Sequence, residues 1–184
     1  MRDEVKLGDA RSLRAYAHPL RMRLIGLLRG EGPMTATQAA ARLGDNVPNC
    51  SFHLRQLAKY GLVERAPGAD ARERPWQATA QYTSWDDDSD DPAIRAAADQ
   101  LTSVVLGQYV ERAQEYLAVR GDEPVEWRAA AGFNDALIHV TAGELREITG
   151  QIDDLLARYT DRERAAGTRP VHLIHLALPR GGHD

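Results

Sequence analysis

The sequence predicts a mainly helical protein with a small β component: an N-terminal winged helix-turn-helix over residues 1–84, then a C-terminal α+β region of two long helices and two short strands over 93–184. Three observations predict it. Helical apolar spacing between residues 13 and 60 is punctuated by cap and turn residues, and two short alternating runs then flank a Gly/Pro/Arg-rich tip. An acidic, turn-rich stretch at 85–92 separates these from a second set of long apolar stripes.

Leu13-Arg-Ala-Tyr-Ala17 suits a short helix that His18-Pro19 interrupts, because proline disfavours an α conformation in the residue before it. Pro19 fits the first turn of the next helix. Leu20, Leu24, Leu27 and Leu28 stripe that helix, and Gly30 to Pro33 end it. Thr35 with Gln38 three residues later forms a capping-box pattern, in which each side chain satisfies an orphan amide of the first turn. Ala36, Ala40 and Leu43 make the buried stripe of that helix, small enough for a second helix to cross closely. Gly44-Asp45 is the turn, and Asn46 caps the following helix. Pro48 lies in its first turn, where its missing donor costs little. The helix runs to about Tyr60, with Gly61 as its stop. Leu62–Arg65 and Trp76–Thr79 then read as a hairpin whose tip, Ala66–Pro75, carries Arg72 and Arg74.

Trp85-Asp-Asp-Asp-Ser-Asp-Asp-Pro92 has no aliphatic content and reads as the linker between two domains. Beyond it, Ile94, Ala98, Leu101, Val105, Tyr109 and Tyr116 stripe one long helix, and Leu145, Ile148, Ile152, Leu155, Leu156 and Tyr159 stripe another over roughly 142–164. Ala136–Val140 and Val171–Leu178 are expected strands that pair with each other.

The net charge of −4 conceals an asymmetry: residues 1–82 carry 13 Lys+Arg against 8 Asp+Glu, and residues 83–184 carry 10 against 19. A basic first half suits a polyanionic partner, and an acidic second half suits a part held away from it. A single cysteine, Cys50, excludes an intrachain disulfide framework and any cluster of thiolates. No apolar run is long enough to span a bilayer, and the charged start is no signal peptide, so a cytoplasmic protein without membrane contact is expected. The 21 arginines against two lysines suggest a GC-rich bacterial genome.

On the helix after the turn, residues about 100° apart place Cys50, Leu54 and Leu57 on one face. Asn49, Phe52, Arg55, Gln56 and Lys59 project from the other, with Ser51 and His53 on the flanks. An α-helix fits the DNA major groove, where Arg, Gln and Asn read purine edges and Phe meets a thymine methyl. The amino end of the helix offers free amides to a phosphate. The wing arginines add backbone or minor-groove contacts.

The stretch Ala17-His18-Pro19-Leu20-Arg21, with Ser51-Phe52-His53-Leu54-Arg55-Gln56-Leu57, Gly61-Leu62-Val63-Glu64 and the arginine-rich tip, resembles the ArsR-type winged helix-turn-helix repressors over residues 10–80. The resemblance implies a homodimer on a near-palindromic operator in double-stranded DNA, with contacts near Val47 to Gln56. The expected DNA-facing set is therefore Thr37, Gln38, Val47, Pro48, Asn49, Ser51, Phe52, His53, Arg55, Gln56, Lys59, Arg72 and Arg74. Leu13 and Tyr16 of the first helix, with Leu101, Val105 and Tyr109 of the long one, form the expected dimer interface. The Cys-x-Cys pattern and the paired acidic and His ligands of metal-sensing members are both missing from the sequence. No metal or other cofactor is expected, since His172 and His175 lie three apart on an expected strand and point to opposite faces.

No catalytic residues stand out. Arg180-Gly-Gly-His opens no helix, and Asp153 and Asp154, being adjacent, cannot share a helix face. Two other roles stay open. The winged helix is a protein-interaction or RNA-binding module with the acidic half as working surface, or the C-terminal half holds a small-molecule effector among Tyr109, Tyr116, Trp127 and Phe133.

Overall fold

A computed structural model of the chain describes residues 4–67, 74–86, 88–160 and 165–180. The chain is mainly helical with a few short strands and divides into two compact units, residues 1–114 and 115–184. No helix among the described residues is long and apolar enough to cross a membrane.

The first unit opens with β1 (Glu4–Leu7), α1 (Ala10–Tyr16) and α2 (Pro19–Glu31). Asp9 caps α1, its carboxylate accepting from the amides of Arg11 at 2.9 Å and Ser12 at 3.1 Å. α3 (Ala36–Leu43) starts on the expected capping box: Gln38 N–H donates to Thr35 Oγ1 at 3.2 Å and Thr35 N–H to Gln38 Oε1 at 2.8 Å. Gly44 then turns the chain at φ +64°, in the left-handed region glycine adopts without strain. Asn46 caps α4 (Val47–Lys59) by accepting from Asn49 N–H at 2.9 Å.

β2 (Val63–Arg65) and β3 (Trp76–Ala78) form the expected antiparallel hairpin, with Glu64 opposite Gln77 and Arg65 opposite Trp76. Trp76 also bridges to Met34, which ties the hairpin to the segment before α3. A second sheet was not foreseen. β4 (Tyr82–Trp85) pairs in parallel with β1, Leu7 lying opposite Trp85.

The core gathers Leu13, Leu24, Ile25, Leu28, Leu54, Leu57, Leu62 and Trp76, and α5 (Pro92–Val119) adds Ala97, Ala98, Leu101 and Val105 to the same cluster. Gln108 Nε2 donates to the Pro19 carbonyl at 2.9 Å, and Trp85 Nε1 to Thr102 Oγ1 at 3.3 Å. The compact unit therefore continues past the acidic stretch 85–92, where composition places a linker, and ends within α5. Small residues explain why: Ala97 and Ala98 let the helix lie against the core, and its first half is core by packing although acidic residues precede it.

The second unit holds the end of α5, a single 3-10 turn at Arg120–Asp122, α6 (Val125–Ala130) and α7 (Ala142–Thr160). Arg169 makes a two-pronged ion pair with Glu123, at 2.6 and 2.8 Å, and its guanidinium lies 4.8 Å from the Trp127 ring centre. The two expected strands are corrected: 136–140 and 171–178 carry no strand, and Leu137, Ile138, Val171, Leu173 and Leu178 are exposed. Alternation marks a pleated face, but a strand exists only with a ladder partner, and these stretches have none among the described residues.

Candidate nucleic-acid interface

α4 has two chemically opposite faces. Cys50, Leu54 and Leu57 are fully buried, and burial pushes the Cys50 thiol above its ordinary range, as suits a small core residue rather than a thiolate ligand. Phe52 is 47% exposed despite its size, and Val47, Pro48, Arg55 and Lys59 are exposed beside it. Arg55 donates one guanidinium nitrogen to Ser51 Oγ at 3.2 Å, which aligns its side chain along the outer face. In α3, Thr37 and Gln38 are exposed, although Gln38 is engaged in the capping box.

Two members of the expected DNA-facing set turn away from it. Asn49 Nδ2 donates to both carboxylate oxygens of Asp45, at 3.0 and 3.2 Å, so its amide donors fasten the turn instead of facing solvent. These bonds from Asn49 and the Asn46 amide hold the Asp45 carboxyl below its usual range.

His53 is corrected more strongly. It is 7% exposed, its ring lies against that of His18 at a 39° tilt with centroids 4.3 Å apart, and its Nδ1 accepts from Arg21 Nε at 3.1 Å. A flank position on the helix wheel leads here into the α1–α2 junction. Gln56 is half-buried. Arg74 is exposed and its carbonyl accepts from Arg65, whose guanidinium lies 3.7 Å from the Trp76 ring centre. Arg72 lies outside the described residues.

The expected dimer interface is corrected as well. Leu13 and Leu101 are fully buried in the single chain, and Tyr16 and Val105 nearly so, while Tyr109 packs on the edge of the same core. Leu13, Tyr16, Leu101 and Val105 are spent on the chain's own core, and only Tyr109 keeps part of its surface exposed. On the part of α5 that belongs to the first unit, Leu106 and Val110 are exposed.

The His18–His53 pair carries a pH dependence. Burial lowers both imidazole pKa values, with Arg21 adding to the effect on His18, and His18 then Arg21 adding to it on His53; Asp45 opposes the shift on His53. The folded state thus binds fewer protons than the unfolded chain. Stability from this pair is whole above a pH of about 6.5 and is lost as pH falls below it. The Asp9 carboxyl, lowered chiefly by its Ser12 bonds, contributes only to losses at more acidic pH, below its ordinary 3.8. Thermal melts should therefore show the midpoint dropping as pH falls below about 6.5, and His18→Asn should flatten that drop. An unchanged pH slope in the variant would refute the assignment.

This geometry agrees with comparison to known families. A family model described as a helix-turn-helix domain matches residues 16–66, from the end of α1 to just past β2. The chain carries a helix-turn-helix domain. The match points to a DNA-binding regulator and covers α2, α3 and α4 in full. No curated protein matches the chain.

The paired histidines and the arginines of α1 were not found by sequence reasoning. Arg11 and Arg14 lie three apart and so share a face of α1. That spacing was a readable signal; the pairing of residues 18 and 53 had none.

Proposed function

We propose that the protein is a homodimeric transcriptional repressor of the ArsR type that does not use the thiolate metal site. α4 enters the major groove of a near-palindromic operator, and the Arg-rich wing lies on phosphates or the minor groove. One observation carries the reading: a capped, thirteen-residue helix in a helix-turn-helix domain has one face locked in the core while Phe52, Arg55 and Lys59 project on the other. A large apolar ring, a guanidinium and an ammonium side by side suit thymine methyls, guanine edges and phosphates respectively.

Two recognition helices about one DNA turn apart require a second copy of the chain. The exposed pair Leu106 and Val110 on α5 supports helix-to-helix pairing of two copies, since their i, i+4 spacing puts both on one face of the helix. The C-terminal unit serves dimerisation or the sensing of a small molecule, and a DNA-reading role belongs in the cytoplasm. Selection from a random duplex pool tests the proposal. It should return two inverted half-sites about 10 base pairs apart, or a multiple of that. A pool without enrichment would contradict DNA reading, and a single half-site would contradict the dimer.

A further inference from the structure

We propose that a cleft between α1, α2 and α4 is a binding site for a phosphate group. The cleft holds about 310 Å³ and is lined by Arg11, Arg14, Ala15, Arg21, Gln56 and Tyr60. Three arginines, a glutamine and a tyrosine are among the residues lining it, and no carboxylate is. Asp9, which caps α1, does not line the cleft; its Oδ1 accepts from the Arg11 and Ser12 amides, and its charge also acts on Arg11.

Arg21 is fixed in place. Its Nε donates to His53 Nδ1 at 3.1 Å and one terminal nitrogen to the Ala15 carbonyl at 2.5 Å, so the other terminal nitrogen is left for a ligand. Arg11 and Arg14 are exposed, and their guanidiniums form no ion pair among the described residues. Planar guanidinium forks match the paired oxygens of a phosphate, and a held fork loses little freedom on binding. Three like charges around one concavity repel one another until an anion enters. Gln56 lies on α4 and Tyr60 directly follows it, and Arg21 is one hydrogen bond from His53 of that helix, so an occupant of the cleft bears directly on the reader helix.

Two sources supply the chemistry: the DNA backbone, which rests on the proposed function, and a free phosphate or phosphate ester. The full-length protein and the Arg11→Gln/Arg14→Gln double variant distinguish them, since both side chains are exposed and the fold does not depend on them. Each is titrated with duplex DNA over a salt series and with inorganic phosphate, the latter followed through arginine Nε–H resonances.

If the backbone fills the cleft, the double variant's slope of log K against log salt shrinks by about 0.9 per lost contact. Arg95→Gln, on the first turns of α5, keeps the full slope. If a free phosphate fills it, the Arg21 resonance shifts saturably in the wild type and not in the double variant. The proposal is overturned if phosphate causes no saturable shift and the double variant keeps the wild-type slope, or if Arg95→Gln loses as much slope. A wild type that binds no DNA yet saturates with phosphate defeats the DNA reading alone; one that binds DNA while both cleft readouts stay flat defeats the site alone.

Discussion

Leu54→Ala should lower the unfolding free energy by about 2–5 kcal/mol, a large share of the roughly 5–15 kcal/mol that holds a typical domain together. Leu54 is fully buried on the inner face of α4, in the cluster with Leu24, Ile25 and Leu57. Removing three carbons there forfeits their transfer free energy and leaves a cavity that helices fixed by caps at Thr35 and Asn46 cannot close. Urea denaturation reads the effect as a lower midpoint at unchanged slope. Phe52→Ala on the opposite face is the control and should move stability by no more than about 0.5 kcal/mol. Equal losses in the two variants would mean that α4 does not have the two faces described.

Arg55→Ala should weaken binding to the selected operator by about 1–3 kcal/mol, roughly 5- to 150-fold, and relax preference at one base position. Its side chain is exposed, aligned by Ser51 and distant in character from the core residues of the same helix, so the thermal midpoint should stay put. Electrophoretic or anisotropy titrations with operator and point-substituted duplexes measure it. A uniform loss across all duplexes, without relaxed preference, would make Arg55 a phosphate contact and not a base reader.

The reader motif was legible in the sequence because its signals are local. The Thr35–Gln38 box, Gly44, the Asn46 cap and Pro48 in a first turn each act within four residues, and each is found where the pattern puts it. The hairpin was legible for the same reason. What was not legible depends on partners distant along the chain. The parallel pairing of Glu4–Leu7 with Tyr82–Trp85 joins opposite ends of the winged region, and no local pattern encodes it.

The His53 ring illustrates the limit within the site. Helix geometry puts it on a flank, and only the packing of His18 and Arg21 decides that the flank faces inward. The same holds for Leu13 and Leu101: a periodic apolar stripe shows that a face is covered, without showing whether the cover is the same chain or a second copy. For 136–140 and 171–178 the pattern named a strand where the described residues supply no ladder.

The proposed function requires that this chain grip duplex DNA through its helix-turn-helix domain. The most direct measurement is a titration of the full-length protein with duplex DNA at several salt concentrations. Binding should be tight at low salt, and log K should fall linearly with log salt at a slope set by several phosphate contacts. Absence of binding even at the lowest salt would rule out DNA as the partner of this domain.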